Sequence, residues 1–167
     1  MVRLKSRYIL FEILYPNSDE NGKMIESKSS LRKDILLRQH RVSPPEISIK
    51  TIIQEIRRSL QLNFGDYGSG KVSSLLQSKY FSNMTSTGII RCHREDCDTL
   101  IMALFFINKI GDIDNLIINP VKVSGTIKKI EEYSIRRNKK LANIMDRDQK
   151  SFIDDYHSVS DDEPRED

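Results

Sequence analysis

The 167-residue sequence predicts an α+β fold, a four-stranded antiparallel sheet with helices packed on it and one further helix at the C-terminal end. Three observations predict it. Short segments rich in β-branched and aromatic residues recur four times, stretches with helical periodicity separate and follow them, and the resulting order is β-α-β-β-α-β-α. That order is the split βαβ plan of ferredoxin-like sandwiches.

Arg7–Tyr15 is β-branched and aromatic, too short for a good helix and stopped by Pro16, which makes it a buried strand. Residues 17–42 are polar and read as an insertion loop, with room for a turn or two of helix at Leu31–Arg38. Ser43-Pro44-Pro45-Glu46 combines an N-cap residue, early prolines and a glutamate three positions on, and so opens a helix reaching about Asn63. Ile49, Ile52, Ile53, Ile56 and Leu60 fall on one of its faces, and Lys50, Gln54, Arg57, Arg58 and Gln61 on the other.

Gly65–Gly70 is a turn-forming linker into two strand-like segments, Lys71–Phe81 and Thr87–His93, joined as a hairpin by Ser82–Ser86. A second helix starts near Glu95-Asp96, whose acids suit the positive end of a helix dipole, and stops at Lys109-Ile110-Gly111. It is apolar nearly all round, which calls for two buried faces, one of them on a protein partner. Leu116–Val123 is a strand in which Pro120 demands an edge or a bulge. Ser124-Gly125-Thr126 leads into a third helix, Ile127 to about Met145. Residues 1–145 therefore form one RRM-like domain whose second sheet face is either open to a ligand or capped by the last helix. Residues 146–167 form an acidic tail expected to be disordered.

Charge is unevenly distributed. The net charge of +3 divides into +5 for residues 1–60, −1 for 61–120, +5 for 121–145 and −6 for 146–167, so a body of +9 carries an acidic tail. That asymmetry points to a polyanionic partner. No apolar run reaches the roughly 18–20 residues of a membrane helix, and two cysteines without an export signal suggest a reduced intracellular compartment.

The motifs of protein catalysis do not assemble. Gly65-x-x-x-x-Gly70-Lys71 approaches a phosphate-binding loop, but Val72 stands where the Ser or Thr for magnesium belongs and the flanking elements are reversed. Cys92-His93 with Cys97 lacks the second ligand pair of a structural zinc site. Asp96 and Asp98 sit where helix-start acids are expected without any function. No metal site and no protein catalytic residue is expected.

The basic residues form a pattern. Arg3, Lys5 and Arg7 alternate along the N-terminal arm, so an extended chain puts them on one side, able to follow a phosphate backbone. Gly125-Thr126 opens a helix with Lys128 and Lys129 in its first turn, so free N–H groups, a hydroxyl and two ammonium groups can converge on one phosphate. Arg136, Arg137, Lys139 and Lys140 crowd the same helix. RNA or DNA contact, a solvated face and a nuclear-import patch all fit this charge pattern. Arg3, Lys5, Arg7, Gly125, Thr126, Lys128 and Lys129, with Lys79, Arg91 and Lys122 from the strands, make up the expected RNA-binding set, and Leu100, Ile101, Leu104 and Phe105 the expected partner-binding set.

Met1–Glu12, Ser48–Leu60, Gly65-Asp66-Tyr67-Gly68, Lys79–Asp98 and Asn119–Glu131 closely resemble, in order, the fungal Pop-five family of protein subunits of eukaryotic ribonuclease P and ribonuclease MRP. The resemblance covers residues 1–15 and about 44–145. It implies a subunit of a ribonucleoprotein endonuclease that removes the 5′ leader of precursor tRNA, with the MRP relative acting on precursor rRNA. In that family the catalytic centre is RNA with bound magnesium, so the protein itself needs no cofactor. The implied partners are the ribonuclease P and MRP RNAs, a TIM-barrel-like protein subunit, other holoenzyme proteins and precursor tRNA, with no membrane, in the nucleus and nucleolus. Ser86–Arg91 lacks the stacking rings of ordinary RNA-recognition domains, which favours recognition of RNA backbone and shape. The alternative is a protein–protein adaptor without direct RNA contact.

Overall fold

The computed structural model describes residues 5–16 and 39–145. Along the chain run β1 (Ser6–Leu14), α1 (Ile49–Ser73), β2 (Gln77–Ser82), β3 (Thr87–His93), α2 (Cys97–Phe105), β4 (Lys109–Ile110), β5 (Ile113–Asp114), β6 (Ile117–Ser124) and α3 (Ile127–Met145). The main sheet has the order β2-β3-β1-β6 with every neighbouring pair antiparallel, so the expected α+β, ferredoxin-like architecture with an added C-terminal helix is the one observed. The insertion loop lies outside the described residues over 17–38, with its short helix at Leu31–Arg38, and so does the tail 146–167.

Alternation along β1 builds both sides of the sandwich. Ile9, Phe11 and Ile13 join Ile52, Ile56 and Leu60 of α1 and Leu100 and Leu104 of α2 in the larger core. Leu10 points the other way and meets Tyr80, Ile89 and Ile130, which brings α3 onto the second face. Each such fully buried side chain contributes about 1.5–3 kcal/mol relative to exposure. The second face is thus capped by the last helix. Pro120 sits on the edge strand β6 beside a register shift between Leu10 and Phe11, the two settings that tolerate its missing N–H.

Three expected boundaries are corrected. The first helix starts at Ile49, capped by Ser48, whose hydroxyl accepts from the Thr51 N–H while the Thr51 hydroxyl accepts from the Ser48 N–H. Ser43 is not the cap, because Pro45 drives Pro44, the residue that would open the helix, out of helical conformation. Its hydroxyl instead accepts from Tyr15 at 2.8 Å and donates to Ser86 at 2.9 Å.

The helix also runs past the expected linker to Ser73, with β2 beginning only at Gln77. Gly65 does break the helical geometry, with φ 66° and ψ −171°, a conformation open to glycine. Helix resumes beyond it because Val72 is buried in the core and Lys71 forms an ion pair with Asp96 at 3.3 Å. Finally, α2 ends at Phe105, and Lys109–Ile110 pairs with Ile113–Asp114 as a small hairpin where a helix end was expected. Ile110 is buried in the larger core, an anchor that helix periodicity alone does not distinguish from a last helical turn.

Candidate nucleic-acid interface

The start of β1 lies between the end of β3 and the end of β6, since Tyr8 pairs with Arg91 on one side and with Ser124 on the other. This register gathers residues far apart in sequence around one open groove of about 790 Å3, lined by Lys5, Ser6, Arg7, Tyr8, Arg91, Gly125, Thr126 and Ile127. Arg91 comes from β3, and its guanidinium carbon lies 6.0 Å from the centre of the Tyr8 ring. Its Nε is buried and has no hydrogen-bond partner among the described residues. Arg7 donates from Nη1 to the Ser6 carbonyl at 3.1 Å.

Gly125 lies against the Arg7 side chain. A Cβ there would stand 3.2 Å from Arg7 Nη1, so the guanidinium lies against bare backbone at the β6–α3 corner. The Thr126 N–H donates to Ser124 Oγ at 3.4 Å, and α3 starts at the next residue. Its first-turn Lys128 and Lys129 are exposed. The groove therefore combines Lys5, Arg7 and Arg91 with the positive end of a helix, an arrangement suited to phosphate oxygens.

Of the expected RNA-binding set, the structure brings Lys5, Arg7, Arg91, Gly125 and Thr126 together, with Lys128 and Lys129 beside them. Lys79 is exposed on β2, two strands away from β1 at the far edge of the sheet. Lys122 is exposed on β6 outside the groove lining, its ammonium 5.4 Å from the centre of the Tyr133 ring. Arg3 lies outside the described residues. Sequence reasoning missed Tyr8, the ring beneath Arg91, because its role depends on a cross-strand register that no local pattern carries.

Arg137 is the clearest departure from the charge pattern on α3. Its Nη2 reaches both carboxylate oxygens of buried Glu12, at 2.9 and 2.7 Å. Asn119 donates to the same carboxylate at 2.7 Å, and His40 Nε2 lies 3.4 Å from it. Burial alone would raise the Glu12 pKa, but the His40 hydrogen bond, the Arg137 charge and Asn119 together hold it below the usual carboxylate range. Arg137 therefore fastens α3 to β1.

The remaining motifs resolve structurally. Lys71 of the phosphate-loop lookalike sits within α1, and its hydrogen bond to Asp96 raises its pKa. Asp96 is buried in that pair and Asp98 is exposed, and among the described residues no group of three or more His, Cys, Asp or Glu could hold a metal. Cys92 and Cys97 are free, buried thiols, and the contact with the Cys97 sulfur together with burial pushes the Cys92 thiol up.

On α2, Leu100 and Leu104 of the expected partner set are fully buried in this chain's own core, Ile101 is partly buried, and Phe105 is 55 % exposed. The surface available to a partner is thus Met102, Phe105 and Phe106. The Ser59 hydroxyl donates to the Ala103 carbonyl at 2.8 Å and fixes the inner side of α2 on α1.

Comparison with known proteins bears on the same residues. The model of the Rpp14/Pop5 family matches residues 7–135. Over 162 residues the chain is 63% identical to the ribonuclease P/MRP protein subunit POP5 of Saccharomyces cerevisiae, covering 97% of this chain and 91% of that one. It is 43% identical to the subunit of the same name from Schizosaccharomyces pombe, covering 83% of this chain and 89% of the relative. A probable ribonuclease P/MRP protein subunit POP5 from Arabidopsis thaliana is 28% identical, with 83% and 80% covered.

Proposed function

The chain belongs to the Rpp14/Pop5 family, and from that premise we propose that it is a protein subunit of ribonuclease P and ribonuclease MRP that stabilises their catalytic RNA. In this reading it supports removal of the precursor tRNA 5′ leader and precursor rRNA processing in the nucleus and nucleolus. Magnesium resides on the RNA, and the protein contributes no catalytic group. The observation that carries RNA contact is the groove, where Lys5, Arg7 and Arg91 surround the start of α3. Phosphate oxygens neutralise the half-buried guanidinium of Arg91 and accept from the free N–H groups of the first helical turn. The exposed Met102, Phe105 and Phe106 offer the holoenzyme's TIM-barrel-like protein subunit an apolar surface.

The test is charge reversal of Arg7→Glu together with Arg91→Glu in the full chain, followed by titration with the RNA subunit across a salt series. Affinity is expected to fall about tenfold or more, and the slope of log K against log salt to flatten by about 0.7–0.9 for each phosphate that is no longer neutralised. Unchanged affinity and slope would overturn direct contact through the groove and favour the protein–protein adaptor.

A further inference from the structure

The groove at the start of β1 holds more than charge. Tyr8 and Ile127, both half-buried, line it beside Lys5, Arg7 and Arg91. Its volume of about 790 Å3 falls within the roughly 300–1,000 Å3 of clefts that enclose a ligand of nucleotide size. A lone phosphate needs far less room and gains nothing from an aromatic and an aliphatic wall. Apolar walls beside fixed cations suit a ligand with a flat, largely apolar body and an anionic group.

Arg91 and Tyr8 supply a platform for such a body. The Arg91 guanidinium carbon lies 6.0 Å from the Tyr8 ring centre, at the outer limit of cation–π attraction. Its Nε is buried with no hydrogen-bond partner among the described residues. Ser86–Arg91 offers no ring of its own, and the fold brings one from β1, because Tyr8 is the cross-strand partner of Arg91. A guanidinium donates to phosphate along its edge and stacks through its plane, so one Arg91 serves both contacts.

We propose that the groove takes one unpaired nucleotide, its base stacked on the Arg91–Tyr8 pair and against Ile127, its phosphate held by Lys5 and Arg7. The inference rests on the groove being the RNA site and narrows what enters it. Bases of a continuous duplex stay in their own stack and present only phosphates. Bulges, loops and ends offer bases free to stack on aromatic rings and guanidinium planes. The chain thereby tells a bulged or single-stranded position from a paired one, in the RNA subunit or in a precursor RNA.

The experiment titrates the full chain with three hairpin RNAs: one carrying a single bulged adenosine, one carrying an abasic nucleotide at the bulge, and one fully paired. The bulged adenosine is expected to bind about fivefold or more tighter than either of the others. Arg91→Lys keeps the charge and removes the plane, so it should erase that preference while leaving the salt slope unchanged. Tyr8→Leu should reduce the preference as well. Equal affinity for the three hairpins, with Arg7 and Arg91 charge reversal still weakening all of them, would overturn the nucleotide pocket and leave the phosphate reading standing. Indifference to charge reversal would remove both. A preference that survives in Arg91→Lys and Tyr8→Leu would place the base elsewhere and overturn the proposal. In the reconstituted holoenzyme, Arg91→Lys should weaken assembly if the nucleotide belongs to the RNA subunit, or raise KM for precursor RNA with assembly intact if it belongs to the substrate. A holoenzyme unchanged in both would overturn the proposal too.

Discussion

The start and the middle of α3 carry the same kind of residue in opposite circumstances. At its start, Lys128 and Lys129 stand exposed beside the Lys5–Arg7–Arg91 groove. Farther along the helix, Arg137 is turned inward onto a carboxylate that is 2% exposed. What separates them is the environment each faces, an open groove in one case and the acid at the middle of β1 in the other. A basic helix can therefore be partly a fastener and partly, on the function proposed above, a ligand surface, and net charge counts both alike.

Breaking the fastener is expected to give the largest effect. Arg137→Ala leaves Glu12 buried with its main counter-charge gone, a loss of about 3–5 kcal/mol by analogy with other buried pairs. Urea unfolding measures it. A loss below about 1 kcal/mol would mean that Asn119 and His40 suffice, and that the start and the middle of the helix differ less than their geometry says. Pairing Arg137→Met with Glu12→Gln should recover part of the loss, since no charge is then stranded.

Acid should weaken the buried pair next. The folded Glu12 pKa is depressed below its ordinary value of 4.5, so the unfolded chain binds the proton more readily than the folded one. The stabilisation is therefore fully present above pH 4.5 and is lost as pH falls through the lower folded value. Stability measured against pH should rise in this window for the native chain, and Glu12→Gln should flatten that rise. An equal slope in both proteins would assign the acid sensitivity to other carboxylates.

These two regions also differ in how legible they were in the sequence. The β-α-β-β-α-β-α order, β3 and the span of α3 follow from periodicity and turn residues, and the edge-or-bulge reading of Pro120 is realised in both ways. The groove was legible as parts: Lys5 and Arg7 by alternation, Gly125-Thr126 with its lysines as a helix start. Their meeting with Arg91 and Tyr8 was not, because it is set by pairing between strands more than eighty residues apart. The Glu12–Arg137 pair spans 125 residues and left no local signal beyond one acid inside an apolar run. The continuation of α1 past Gly65 was hidden for a related reason, since Val72 and Lys71 are held by partners elsewhere in the fold.

The smallest expected effect separates shape from charge at the open end. Gly125→Ala adds a Cβ 3.2 Å from Arg7 Nη1, the far end of a flexible side chain, and Gly125 has no left-handed φ to strain. Stability should stay within about 0.5 kcal/mol of the native chain. The guanidinium must nevertheless shift by a few tenths of an ångström, which, if Arg7 contacts phosphate as proposed, misaligns that charge-assisted hydrogen bond without removing any charge. RNA affinity should fall about twofold while the salt slope holds, because the number of counterions released is unchanged. Titrations of native and Gly125→Ala chains over the same salt series measure both quantities. A flattened slope would show that Arg7 has left the phosphate altogether, and an unchanged affinity would show that the groove attracts RNA by charge with no demand on where the guanidinium lies.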